Sequence, residues 1–407
     1  MSTAAPADAV TTDGSRLSRP LVLLMAVAAG VSAANLYYCQ PLLDLIGRDL
    51  HISPSATGIL VTVTQLGYAA GLLFVLPLGD LLERRRLIVG MALATAGALV
   101  LTAFAQNEAW LLVMLLIVGL LSVVAQVVVP LAAALASDDD RGSVVGTVMS
   151  GLLIGILLAR TLAGLLAQVG GWRSVYLVAA ALVLVLAAGL WRGLPVSPPT
   201  VRTSYAGLLG SVARLVRTEP VLRRRMLYGA LTFAQFSVLW TAITGLLSDA
   251  PYHYSEGIIG LFGLAGAAGA LAAPLIGRLA DGGHQLYASV GAGLLFLVSW
   301  ALLAGGRASV IALLAGVVLL DLACQSLQVT NQSRIYTLAG DARARVNAAY
   351  MTAYFLGGAA GSWVSTRVAS SYHWSGVCVL GAALGVVLLA SVVVGESSLR
   401  RLAPRPT

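Results

Sequence analysis

Asp321, Gln325, Gln328 and Gln332 are spaced i, i+4, i+7 and i+11, so an α-helix carrying them sets all four on one face. They lie in an otherwise apolar stretch, predicted as a helix over 309–332. An ionisable group near a bilayer centre costs about 2.5–3.5 kcal/mol, so this polar stripe must face protein or a water-filled cavity. Two roles fit Asp321. It can hydrogen-bond a neighbouring helix, or it can take up and release a proton, because shielding from water favours a neutral carboxyl group. Gln325 and Gln328 would then supply hydrogen bonds to a solute beside it.

Arg160 is a second deep charge, in a helix predicted over 143–167. Its five N–H donors require partners, so it is expected to face the protein interior. It could form an ion pair, with Asp321 as one option, or reach toward the outer surface. It could also balance an anionic solute, or part from a carboxylate that becomes protonated. Other polar and aromatic residues within predicted helices are Asn35, Tyr37, Tyr38, Gln40, Gln65, Tyr68, Gln126, Gln235 and Trp240. Amides mixed with aromatics suit a pocket for amphipathic or sugar-like solutes, although each could equally serve helix packing. His51, His253, His284 and His373 fall in loops or at helix ends without ligand spacing, and Cys39, Cys324 and Cys378 lie far apart. Neither a metal site nor a disulfide framework is expected, and no cofactor.

The elements that hold these residues are set by composition. Hydrophobic residues make up 58% of the chain, charged residues 10%, and the mean hydropathy is +0.89. Soluble domains carry about 25% charged residues, so this chain cannot cover itself with a water-compatible surface. Runs of about 20 apolar residues recur, each able to cross the roughly 30 Å hydrocarbon core. Helices are predicted at 21–43, 55–79, 87–105, 109–134, 143–167, 173–192, 226–248, 256–277, 285–304, 309–332, 346–368 and 374–395. This is an all-α membrane protein of twelve transmembrane helices in two six-helix bundles, 21–192 and 226–395. Tails cover 1–20 and 396–407, and no cleavable signal peptide is expected ahead of the first helix. A polar linker over 193–225 carries an amphipathic helix from Tyr205 to Arg217, expected on the membrane surface.

All 25 basic residues are Arg. A Walker A loop needs a Lys, so active transport would draw on an ion gradient or a separate ATPase subunit. With the N-terminus in the cytoplasm, only Arg48, Arg173, Arg307 and Arg367 fall outside, Arg160 lies in the membrane, and the other 20 fall inside. This asymmetry predicts cytoplasmic termini and argues against nucleic-acid binding as the reason for the basic excess. The halves also match at a constant offset of 202 residues: Asp139 with Asp341, Arg141 with Arg343, Gly155 with Gly357, Trp172 with Trp374, and Gln126 with Gln328. Asp80 and Asp281 match at 201. Parallel repeats predict a solute site between the halves near the midplane.

The loop Pro77-Leu78-Gly79-Asp80-Leu81-Leu82-Glu83-Arg84-Arg85-Arg86 and the loop Gly277-Arg278-Leu279-Ala280-Asp281-Gly282-Gly283 resemble the G-x-L-a-D-r-x-G-r-r loop of the major facilitator superfamily. The first departs at Leu76 and Glu83. The resemblance implies a charge network at helix ends that holds one conformation shut, with Asp80, Arg84, Arg85 and Asp281 in that role. Gly146, Gly155, Ala159-Arg160 and Ala163-Gly164 have the spacing of the helix-5 motif of drug:proton antiporters, in a degenerate copy. Asn35 to Leu43, Gln65 to Tyr68, and Asn331-Gln332 resemble the bacterial branch that exports sugars and purine nucleosides. Within the superfamily, helices 1, 4, 7 and 10 line the cavity. Drug antiporters carry an Arg four residues before a Gly in helix 4; here Leu115 precedes Gly119.

These features predict a proton-coupled exporter of a drug-like, sugar-like or nucleoside-like compound. It would work by alternating access as a monomer in the bacterial inner membrane. A proton-independent facilitator or an importer competes, because the helix-5 motif is degenerate. An intramembrane enzyme is disfavoured: the chain has no G-x-S-x-G elbow, H-E-x-x-H pair or paired membrane aspartates. A receptor would need a soluble domain to pass on its signal.

Overall fold

The computed structural model describes residues 17–137, 139–199, 204–281, 285–338 and 343–402, with the side chains at 267, 270–281, 285 and 396–402 outside the description. Span 1 is Arg19–Ala34, followed by turns and a short helix, Leu43–Asp49. Span 2 runs Gly58–Ala70 and continues through a π-helical turn at Gly71–Val75 to Leu78–Leu81. Span 3 is Arg84–Ala103, and span 4 joins Glu108–Leu121 to Val124–Leu135. Spans 5 and 6 share the helix Arg141–Gly193, divided at Gly171. The linker helix is Tyr205–Thr218. Spans 7 to 10 are Pro220–Ser248, Glu256–Asp281, Gln285–Ala304 and Val310–Tyr336. Spans 11 and 12 share Arg343–Leu402, divided at His373.

Eight of these helices are long and apolar enough to cross a membrane, and two of the eight hold two spans each. With the shorter apolar helices Arg19–Ala34 and Glu256–Gly266, the set among the described residues is the expected twelve. Their large outward side chains are mostly Leu, Val, Ile and Phe, with a few Trp and Tyr, as a helix facing hydrocarbon requires.

The backbone carries the repeat more clearly than the side chains do. Left-handed φ occurs at His51 (56°) and His253 (48°), and again at Gly171 (72°) and His373 (54°). The members of each pair are 202 residues apart. Histidine is among the few non-glycine types that enter this region with any frequency. Gly155 and Gly357, also 202 apart, mark equivalent close crossings. A Cβ would stand 2.2 Å from Gly30 O at the first and 2.2 Å from Ala230 O at the second. Span 5 thus lies against span 1 as span 11 lies against span 7.

Span 7 begins at Pro220, six residues ahead of the helix start expected at 226. Proline fits a first helical turn, where its missing N–H costs nothing. Arg225 is therefore a buried helical residue, donating to Asn331 Oδ1 (3.1 Å) and Ser289 Oγ (3.3 Å).

The two halves meet most tightly at the face away from the linker helix, here called the far face. Thr161 Oγ1 donates to Gly260 O (2.9 Å) and Ser362 Oγ to Gly58 O (3.0 Å). The two glycines are 202 residues apart, so these seams are equivalent under the repeat. Thr244 Oγ1 donates to Gln40 O (2.9 Å), and Gln168 Nε2 to Ser255 Oγ (2.6 Å). Deeper in, Gln65 Nε2 donates to Ser237 Oγ (3.0 Å).

Candidate functional site

A cavity of about 760 Å³ lies between the halves. Its lining runs from Tyr37, Arg160 and Asp321 at the blind end to Asp80, Arg84, Arg343 and Arg345 at the linker face. Leu208 and Val212 of the linker helix border the mouth. Tyr205 Oη holds that helix to the π-turn of span 2 by donating to Phe74 O (2.8 Å). Spans 1, 4, 7 and 10 all contribute to the wall, as expected, but so do spans 2, 5 and 11.

Arg160 faces the interior and is 3% exposed. Its Nε donates to Gln40 Oε1 (2.7 Å). The guanidinium carbon stands 4.1 Å from the Trp240 ring centre, 4.7 Å from Tyr37 and 5.3 Å from Phe236. These ring faces attract the cation. They are at best weak acceptors of an N–H, and Arg160 Nη2 has no oxygen or nitrogen acceptor. Asp321, also buried, accepts from Trp240 Nε1 (3.1 Å). Neither residue joins an ion pair within 4 Å among the described residues. Trp240 thus connects the two charges, touching Asp321 with its edge and Arg160 with its face. Gly266 of span 8 makes room for the carboxylate: a Cβ there would fall 2.1 Å from Asp321 Oδ2.

Asp321, Gln325, Gln328 and Gln332 all line the cavity. Gln328 accepts from Tyr354 Oη (3.1 Å), and Gln126 donates to Tyr68 Oη (3.3 Å). The repeat-related amides Gln126 and Gln328 therefore each pair with a tyrosine on the wall. Tyr37, Tyr68 and Gln126 are lining residues too. The remaining candidates are packed elsewhere. Asn35 donates to Ser122 Oγ (3.2 Å), Tyr38 is buried beside span 1, and Gln235 accepts from Trp300 Nε1 (3.1 Å). Gln65 lies in the seam between the halves, and Gln40 and Trp240 stand behind the wall, where they hold Arg160 and Asp321.

Sequence reasoning missed the aromatic wall. Phe233 stacks on Tyr354 (4.2 Å, 19°) and on Phe236 (5.1 Å, 17°), and Tyr68 lies 4.3 Å from Phe355. Phe233, Phe236 and Trp240 are spaced i, i+3 and i+7, a helical stripe legible in the sequence that reads equally well as core.

At the linker face, Asp80 meets Arg84 at 3.6 Å, and Arg84 Nε donates to Gly79 O (3.1 Å). Arg85 turns away from the cavity, stacking on Trp191 (4.6 Å) and donating to Leu194 O (3.3 Å). Asp281 ends span 8, and its side chain lies outside the described residues. Glu83, where the family loop carries glycine, caps span 3. Its carboxylate accepts from Arg85 N (2.9 Å), Arg86 N (3.0 Å) and Ser197 N (3.2 Å). Burial pushes this carboxyl group's pKa up, but the three backbone bonds outweigh it and hold the group below the ordinary glutamate value. On the far face, the hydrogen bond from Arg173 is the main cause that keeps Asp49 low, and Trp172 Nε1 adds a second bond at 3.1 Å.

Residues 25–362 match the family model described as Major Facilitator Superfamily. The uncharacterized transporter YgaY of Escherichia coli is 51% identical over 380 residues, 93% of this chain and 96% of the relative. A Streptomyces coelicolor protein described as a probable transporter is 38% identical, covering 90% of this chain and 85% of its own. Among solved structures, a mutant of the nucleoside transporter NupG superposes with a TM-score of 0.75 at 15% identity, over 92% of this chain and 99% of that one. The twelve spans, the cavity between two repeats and these relatives agree: the chain belongs to the Major Facilitator Superfamily and is a multi-pass secondary transporter of a small solute.

Proposed function

We propose that this protein exports a small organic solute from the cytoplasm in exchange for protons, as a monomer in the bacterial inner membrane with both termini inside. Drug-like, sugar-like and nucleoside-like compounds all fit a cavity of about 760 Å³. The observation that carries the reading is Asp321, a buried carboxylate on the wall of a cavity open toward the Arg-rich linker face. Its partner Trp240 belongs to span 7, and the Trp240 ring covers Arg160 of span 5. A proton arriving at Asp321 removes one negative charge opposite a cation of the other half. That change alters how strongly the halves attract each other at the blind end. Solute enters from the cytoplasm in the state described. The far-face seams then part as the linker face closes, and the solute leaves outward as a proton enters.

Inverted vesicles with an imposed proton gradient and a solute panel test this. Asp321→Asn mimics the protonated form, so uphill accumulation is expected to fail while solute binding and downhill exchange persist. Accumulation against a gradient in that variant would make Asp321 a structural residue. A second reading, a proton-independent facilitator or importer, is favoured by Leu115, a buried leucine where drug antiporters carry Arg. It predicts wild-type flux that does not change when the proton gradient is collapsed.

A further inference from the structure

We infer that the solute is an organic anion with a flat aromatic body, its carboxylate or similar group received by Arg160; this rests on reading the cavity as the transport site. Arg160 Nη2 is buried without an acceptor, although Arg160 lines the cavity. An unmet donor on a buried cation is costly, and structures rarely leave one unless something else supplies the acceptor. None of the protein groups around it accepts from Nη2. Gln40 Oε1 is spent on Nε, the rings offer only their faces, and Asp321 gives one oxygen to Trp240 without reaching Arg160. A solute that enters the cavity can bring the missing oxygen.

The charge of the lining points the same way. Its described charged residues are Arg84, Arg160, Arg343 and Arg345 against Asp80 and Asp321. Asp80 is occupied by Arg84. The excess is therefore positive at the rim, where Arg343 and Arg345 stand, while at the blind end Arg160 faces Asp321 without a hydrogen bond between them and keeps Nη2 open. Field lines in a low-dielectric cleft draw anions inward. Between rim and blind end, Phe236, Phe233 and Tyr354 lie nearly parallel along the cavity wall, an aromatic surface against which a planar ring can pack. A neutral sugar could give Nη2 a hydroxyl oxygen but would leave the positive excess unanswered, and an organic cation would meet like charge.

Calorimetry on the purified full chain in detergent tests this with three matched probes: naphthalene-2-carboxylate, 2-naphthamide and 2-naphthamidine. They share one ring system and differ in charge. The carboxylate is expected to bind about tenfold or more tighter than the amide, and the amidine weakest. Arg160→Gln should remove that preference, and Arg160→Lys should keep part of it. The wild-type series is decisive by itself should a variant fail to fold. Equal affinities, preference for the amide or amidine, no binding of the carboxylate, or a preference that survives in Arg160→Gln would each overturn the inference. Carboxylate binding without gradient-driven accumulation in vesicles would support this site and count against proton coupling. Accumulation of neutral solutes alone would do the reverse.

Discussion

Gly260→Ala tests whether the far-face seam sets the conformation described. A Cβ on Gly260 would stand 2.7 Å from Arg160 O and 3.2 Å from Thr161 Cα. Both are backbone atoms, so no side-chain rotation relieves the clash. Carbon contacts settle near 3.5–4.0 Å, so span 8 must retreat from span 5 by roughly 0.5–1 Å. That retreat also stretches the 2.9 Å bond from Thr161 Oγ1 to Gly260 O. Overpacking by one methyl group costs about 1–3 kcal/mol, borne by the state closed at the far face. The equilibrium between states should then move roughly 5- to 150-fold toward far-face opening. Spin labels at Val169 and Tyr372, which are 92% and 70% exposed and lie in different halves, would report it by double electron–electron resonance. A longer-distance population should grow. Gly97→Ala, whose Cβ would meet nothing within 4 Å, is the control. A distance distribution matching the control, or a shift to shorter distances, would refute the argument.

Three further outcomes are expected. Asp80→Asn, which breaks the 3.6 Å pair with Arg84 at the cavity mouth, should slow initial flux and change the solute Kd by less than about twofold. A lost Kd with unchanged conformational exchange would assign Asp80 to the solute instead. Glu83→Gln should lower stability by about 0.5–2 kcal/mol at pH 7, read by thermal unfolding in detergent. Because folding lowers the Glu83 pKa, the native carboxylate stabilises above the ordinary value near 4.3, and this is lost as pH falls through the lower folded value. The gap between wild type and variant should therefore narrow from pH 5 toward pH 3, and a constant gap would deny the carboxylate its part. Finally, a cysteine replacing the exposed Arg217 should react with impermeant reagents only from the cytoplasmic side. Labelling from outside would invert the topology.

The spans were legible because a membrane imposes one strong constraint: about 20 apolar residues per crossing. The linker helix was legible from its apolar spacing, and structure and sequence agree on its start at Tyr205. Arg225 was harder to read. Three consecutive arginines resemble a juxtamembrane loop, and nothing local says that the third is enclosed by Ser289 and Asn331, residues 64 and 106 positions away. The Asp321 stripe was legible because periodicity alone forces four polar side chains onto one face. Gln235 was not, because a single amide in an apolar helix looks the same whether it meets a cavity or, as here, Trp300 of span 9. The aromatic wall escaped notice because rings on an apolar face satisfy a packed core and a solute pocket equally.

Most bonds across the seams between the halves involve hydroxyl groups on helices, with the amides of Gln65 and Gln168 beside them, and this governs how fast the halves can trade places. A helical serine or threonine whose partner departs can turn its O–H back to the carbonyl one turn earlier on its own helix. Thr62 already shares itself this way, bonding Gly58 O at 2.9 Å on its own helix and Ala359 O at 3.3 Å across the gap. The glycine carbonyls that lose a visitor belong to helices and are not abandoned. Parting these hydroxyl contacts therefore strands no donor and dehydrates no ion, so the two states can lie close in free energy with a low pass between them. Such a joint is also indifferent to ionic strength and proton concentration, which leaves any bias from a gradient to carboxyl groups along the cavity.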